Sequence, residues 1–232
     1  MKAFILAGGK GKRLFPYTTN FPKPLMPVGD KPILEILLKQ LKKHGFTEAI
    51  LSTGHLEELI RAYFQDGSKL GIHLTYSKEE EPLGTAGPLR LVHEKFKDTF
   101  LVINGDVISD LDFKKFKEHH RKKRDIATIA LSRRIVDIDY GVVRLKKDGA
   151  YDCWQEKPKI EYYVSTGIYL LEPEALRSLP KKGAITMPEL IEKLRLENKN
   201  VSGYIHPGYW LDIGRPDDYE KACNEIGSIL NI

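Results

Sequence analysis

At 232 residues, 41% apolar and 30% charged, the chain excludes a disordered polymer and is long enough for one larger domain or two small ones. Its 37 Lys and Arg against 32 Asp and Glu leave a formal charge of +5, too mild to establish nucleic-acid binding and equally suited to an anionic small substrate. No apolar run approaches the about 18 residues of a membrane span, no signal peptide opens the chain, and Cys153 and Cys223 show neither metal-ligand spacing nor a disulfide framework, which predicts a cytoplasmic protein with no membrane and no nucleic-acid partner.

In chain order, residues 3–7 are a short continuous apolar run ending at Gly8, the pattern of a strand buried in a parallel sheet. Helical spacing follows over 33–43, where Ile33, Ile36, Leu37 and Leu41 share a face, with Pro32 at the start and Gly45 after the end. Residues 49–52 are strand-like, 57–64 helical, 72–76 alternate as a strand, 89–96 are helical and 100–103 form another buried strand. Strands alternating with helices imply right-handed β-α-β units. The pattern changes after residue 125. Residues 126–131, 141–145 and 163–171 are strand candidates without long helices between them, and 188–196 and 217–226 look helical. Arg121-Lys122-Lys123-Arg124 reads as the solvated end of a helix rather than an RNA patch. With no repeat and no long linker, the expectation is one α/β domain over 1–232, a Rossmann-like mixed, mostly parallel sheet flanked by helices.

Gly8-Gly9-Lys10-Gly11 follows the first strand, where ligands of α/β sheets bind and bare backbone lets N–H groups approach a phosphate. Two phosphate motifs are excluded. A Walker loop needs Ser or Thr after Gly-Lys, but Arg13 follows Gly11-Lys12. A dinucleotide fingerprint needs Gly or Ala where Leu14 stands. Lys23, stiffened between Pro22 and Pro24, adds a fixed cation near the turn and Arg13 another, which suits a triphosphate; the alternative is a surface lysine in a proline-rich loop. His55, His73, His119, His120 and His206 show no ligand spacing and read as structural or exposed.

Leu6-Ala7-Gly8-Gly9, Gly11, Arg13-Leu14 and Pro22-Lys23-Pro24-Leu25 together resemble the signature of the sugar-1-phosphate nucleotidyltransferases, the nucleotide-sugar pyrophosphorylases. The resemblance continues in order through 79–87, Asn104-Gly105-Asp106, Tyr140-Gly141-Val142-Val143, Glu156-Lys157-Pro158, Thr166-Gly167 and Tyr209-Trp210-Leu211-Asp212-Ile213-Gly214, nearly the whole chain. It implies attack by a sugar-1-phosphate oxygen on the α-phosphorus of a nucleoside triphosphate, with Arg13, Lys23 and Asp106 catalytic. Leu6, Ala7, Gly8, Gly9, Gly11, Arg13, Lys23, Glu79, Gly84 and Thr85 would surround the nucleotide. Asn104, Gly141, Glu156, Lys157, Thr166 and Gly167 would surround the sugar phosphate. Asp106 and Asp212 would hold Mg²⁺, whose preference for hard oxygen ligands suits carboxylates; without the resemblance each could as well be a cap or turn residue. Neighbouring side chains of a strand point to opposite faces, so Glu156 and Lys157 can reach one ligand only where a strand twists or ends, and Pro158 fits an ending.

Glu79 bears on the base. Relatives that use UTP or dTTP typically carry glutamine there, whose amide both donates and accepts; a carboxylate only accepts, which matches the adjacent N1–H and N2 amine of guanine. The segment EEEPLGTAGPL closely resembles mannose-1-phosphate guanylyltransferases, so GTP and a mannose-1-phosphate-like acceptor are expected. Glu79 as one of three solvated glutamates is the competing reading. Lys12 departs from the usual Thr, adding a cation at the triphosphate or pointing to solvent. Val164-Ser165-Thr166-Gly167 resembles glucose-1-phosphate enzymes more than mannose-1-phosphate ones, and the C-terminal motifs resemble bacterial makers of amino-sugar or heptose nucleotides. Glucose-, glucosamine- or heptose-1-phosphate with UTP or dTTP therefore stays open, as do a cytidylyltransferase, a non-catalytic nucleotide-sugar sensor on the same fold, and homo-oligomerisation. No hexapeptide repeat occurs, so the expectation includes no left-handed β-helix and no acyltransferase activity.

Overall fold

The computed structural model describes residues 1–229. The chain runs through β1 (Lys2–Leu6), β2 (Pro27–Val28), β3 (Lys31–Pro32), α1 (Ile33–Lys43), β4 (Glu48–Thr53), α2 (Glu57–Phe64), β5 (His73–Lys78), β6 (Phe100–Asn104), β7 (Val107–Ser109), α3 (Phe113–Lys123), β8 (Ala127–Asp137), β9 (Val142–Leu145), β10 (Tyr151–Gln155), β11 (Lys159–Leu171), α4 (Met187–Leu196), β12 (Val201–His206), β13 (Trp210–Asp212) and α5 (Pro216–Ile229). Seven strands form the central sheet in the order β12-β8-β11-β6-β1-β4-β5, with only β11 running against its neighbours. The mixed, mostly parallel sheet expected from the sequence is therefore present.

Alternation along the strands divides the core into two layers. Ala3, Ile5, Leu51, Leu101 and Ile103 face α1, α2 and α3, while Phe4, Ile50, Val102 and Tyr169 face α4 and a 3₁₀ segment over Gly87–Lys95. The helical pattern at 89–96 thus winds more tightly than an α-helix. The sequence reading placed a helix end at 121–124 but did not trace α3 leading to it, because FKKFKEHHRKK offers only Phe113, Phe116 and His120 to the core; its start is set by Asp112, which accepts from the Lys114 and Lys115 N–H groups. The basic run at 121–124 is the end of this helix, as expected. A third cluster, including Leu14, Met26, Ile108, Leu211 and Ile213, ties the β7–β13 ribbon to the loop after β1.

Topology decides where the site lies. From β1 the chain passes to β4 and β5 on one side, then returns to β6 on the other. The carboxyl ends of β1 and β6 therefore flank a switch point, where open α/β sheets bind ligands.

Candidate active site

One register row crosses four strands at this mouth. Asn104 pairs with Leu6, Leu6 with Ser52 and Ser52 with Ser77, so all four side chains lie on one face. Above the row the strands open into two connected clefts. The smaller, about 240 Å³, is lined by Leu6, Ala7, Gly9, Gly11, Lys12, Arg13, Lys23, Pro24, Gly105, Asp106 and Gly214. The larger, about 930 Å³, shares Leu6, Gly9, Gly11, Lys12 and Asp106 and adds Gly8, Glu79, Gly84, Thr85 and Asn104 among others. Every residue expected around the nucleotide lines one cleft or the other. Lys12 lines both, so the departure from Thr puts a cation at the mouth. The sequence reading gave Lys10 no role of its own and read His55 as structural or exposed, yet both line the larger cleft; their only signal was the position just past a strand end.

Asp106 sits in the turn between β6 and β7, and Asp212 ends β13. Pairing of Asp212 with Val107, and a 3.0 Å bond from the Ile213 N–H to the Asp106 carbonyl, bring the two together although 105 residues lie between them in the chain. Lys23, nine-tenths buried, donates to Asp106 Oδ2 in a close ion pair. Arg13 packs on Gly214, whose added β-carbon would stand 2.9 Å from the guanidinium. Asp106 Oδ1 and Asp212 Oδ1 are buried with no hydrogen-bond partner. Burial pushes the Asp212 carboxyl above the ordinary value of 3.8, the Asp106 charge pushes it further, and Lys23 and Arg13 draw it back. Two orphaned anionic oxygens at the rim of a cationic cleft are a donor set that fits a hard divalent cation.

The sugar-phosphate candidates divide. Asn104 lines the larger cleft, and Gly167 lies against it inside a register break of β11. A φ of 75° and a gap of 2.5 Å from a β-carbon to Asn104 Nδ2 leave room there only for glycine. Thr166 points the other way: it is buried, and its hydroxyl donates to the Ala130 carbonyl at 2.8 Å, so its side chain serves the core rather than a ligand. Gly141 lies just before the β9–β10 hairpin and Glu156 and Lys157 just after it, and none lines either cleft. Trp154 packs on Gly141, where a β-carbon would meet the indole at 2.2 Å, and its indole N–H donates to Glu156 Oε2 at 3.0 Å. Strand β10 ends at Gln155, and Lys157 has a positive φ of 41°, so alternation no longer separates Glu156 from Lys157. Of the histidines, His55 and His73 are exposed and His119 half-buried, while buried His120 bonds Thr128 and Glu172 and buried His206 bonds Ser109. Among the described residues, no three His, Cys, Asp or Glu converge as a metal cluster, and no helix is long and apolar enough to cross a membrane.

A switch-point cleft with a glycine-rich floor, paired carboxylates and nearby cations defines an α/β protein whose site suits an anionic ligand. The match of a Nucleotidyl transferase model to residues 2–228 makes it more particular: the chain belongs to that family. It is 37% identical over 251 residues to UTP–glucose-1-phosphate uridylyltransferase of Synechocystis sp., covering 97% of this chain and 63% of the relative. It is also 37% identical over 227 residues to mannose-1-phosphate guanylyltransferase 1 of Arabidopsis thaliana, covering 94% and 63%. The chain thus spans 63% of the length of these relatives. Among solved structures it resembles HddC from Yersinia pseudotuberculosis in complex with GMP-PN, at a TM-score of 0.76, 28% identity, and coverage of 97% of this chain and 99% of that one.

Proposed function

We propose that the chain transfers a nucleotidyl group from a nucleoside triphosphate, GTP, to a mannose-1-phosphate-like sugar-1-phosphate. An oxygen of the sugar phosphate bonds to the α-phosphorus, the bond to the β-phosphate oxygen breaks, and pyrophosphate leaves with the electron pair. No protein nucleophile is needed, so the protein positions the reactants and neutralises anionic oxygens. The observation that carries this reading is the convergence of Lys23, Arg13, Asp106 and Asp212 on the glycine-lined mouth.

Arg13 and Lys12 offer their cations to the triphosphate, with the glycine-rich turn allowing backbone approach. Lys23 holds Asp106 in place and offsets its charge. Glu79 accepts from the guanine edge. Asn104 and Gly167 border the acceptor, and Glu156 and Lys157 receive a sugar hydroxyl and the sugar phosphate from the hairpin. Asp106 and Asp212 would hold Mg²⁺, which supplies charge neutralisation at the phosphate oxygens when bound. The unpaired cysteines Cys153 and Cys223 suit a reducing, cytoplasmic setting.

A second pair, UTP with glucose-1-phosphate, draws support from the Synechocystis relative and from the Val164-Ser165-Thr166-Gly167 sequence. Pyrophosphate release across a panel of NTPs and sugar-1-phosphates separates the two. GTP with mannose-1-phosphate should give the highest kcat/KM. A clear preference for UTP or dTTP would overturn the base assignment, and nucleotide binding without pyrophosphate release from any pair would leave a sensor.

A further inference from the structure

Glu79 is not a free surface carboxylate. Its N–H continues the β4–β5 ladder to the Thr53 carbonyl at 2.9 Å, which seats it at the sheet edge of the larger cleft. Its Oε1 accepts from the Ser52 hydroxyl at 2.9 Å, and its Oε2 from the Leu83 N–H at 3.2 Å. Ser52 is fully buried, and Glu79 is the acceptor its hydroxyl reaches. Ser52 and Glu79 lie on the same face because Ser52 pairs with Ser77 and side chains two apart share a face. Oε1 also stands 2.9 Å from where a Gly8 β-carbon would be, so the carboxylate abuts the phosphate-binding turn.

We propose that Ser52 is a specificity-determining positioning residue, which aims the Glu79 carboxylate at the base; this rests on the reading of Glu79 as the guanine acceptor. A carboxylate has about four lone-pair sites on two oxygens. Ser52 and Leu83 occupy one site on each oxygen and leave one on each directed elsewhere. One acceptor site left on each oxygen gives the carboxylate the number that the two adjacent donors of guanine require. Uracil or thymine offers only N3–H between two carbonyls and gains less from a fixed pair of acceptors. Without the Ser52 hydroxyl, Oε1 faces a buried position with no donor, and the side chain must turn to find one. The aim of the carboxylate then depends on the Leu83 bond alone.

The test measures kcat/KM for GTP and for UTP, with one sugar-1-phosphate, in the wild type and in Ser52→Ala, Ser52→Thr and Glu79→Gln. Losing a hydrogen bond to a charged group that acts through another residue should lower the GTP-over-UTP ratio of Ser52→Ala about three- to tenfold, through KM for GTP. Ser52→Thr, which keeps the hydroxyl, should restore the ratio. Thermal melting checks that each variant is folded. If Ser52→Ala does not fold, Ser52→Cys keeps the volume with only a weak donor and carries the same expectation. A ratio moved by Glu79→Gln but unmoved by folded Ser52→Ala or Ser52→Cys overturns the role of Ser52 and leaves the base reading standing. A ratio unmoved by Glu79→Gln overturns the base reading and this inference together.

Discussion

The nucleotide mouth and the β9–β10 hairpin are built on different principles. At the mouth, Glu79 at a strand end rests on buried Ser52, Lys23 from the loop after β1 pairs with half-buried Asp106, and Arg13 from the same loop lies on buried Gly214. On the hairpin, Glu156 and Lys157 are exposed, and Glu156 has one bond within the chain, from the half-exposed Trp154 indole. Several other apolar side chains there are exposed too, among them Tyr140, Leu145 and Tyr151. A triphosphate presents the same geometry to every member of such a family, so a rigid cradle carries little risk. Sugars differ in the orientation of single hydroxyls, and a hairpin outside the core can change side chains without repacking it.

The largest effect expected from breaking this contrast is at Asp106. Asp106→Asn should cut turnover by more than about a hundredfold, the scale of removing a fixed electrostatic group from a reaction centre, while circular dichroism stays unchanged. Turnover near wild type in saturating Mg²⁺ would remove Asp106 from the metal role. Next come the two phosphate subsites. Arg13→Ala should raise KM for the NTP and Lys157→Ala KM for the sugar phosphate, each by about ten- to a hundredfold, as loss of a charge-assisted contact does. An effect of Lys157→Ala confined to the NTP would exchange the two assignments.

Trp154→Phe sharpens the comparison on the hairpin side. It keeps the ring over Gly141 and removes the indole N–H, so KM for the sugar phosphate should rise about two- to fivefold with KM for the NTP unchanged. In a Trp210→Phe background Trp154 is the one remaining tryptophan, and its emission should respond to the sugar phosphate but not to NTP. A silent Trp154 would detach the hairpin from the acceptor. The smallest effect is on stability. Asp212→Asn removes a half-buried charge beside Asp106 whose Oδ1 has no hydrogen bond, so the metal-free protein should melt higher than wild type while losing the stabilisation that Mg²⁺ gives it. A lower melting temperature would mean that Asp212 has a partner in solution.

Much of the fold was readable because its signals are local. The apolar run at 3–7, the helical spacing at 33–43 and the turn glycines each reflect a residue's own neighbours. The capping box at the start of α4, where Thr186 and Glu189 exchange bonds, is equally local but was left unread in the sequence. Helix α3 and strand β12 escaped because their faces toward the core carry few apolar residues. In α3 one of the three buried positions is His120, and β12 has a single buried residue, His206.

The sequence by itself determined which residues bear charge at the candidate site and where the backbone is left bare, because these are properties of residue type and order. It also implied, through resemblance, that Asp106 and Asp212 would converge. Only the tertiary structure decided how each group is held. Ser52 stands behind Glu79 because β4 pairs with β5 in one register, and a slip of one residue would turn Ser52 to the opposite face. Thr166 turns into the core while the adjacent Gly167 faces Asn104, the opposite faces that neighbours along a strand take, and only the paired ladder decides which of the two meets Asn104. Such contacts join residues distant in the chain through the geometry of the sheet, which no local pattern encodes.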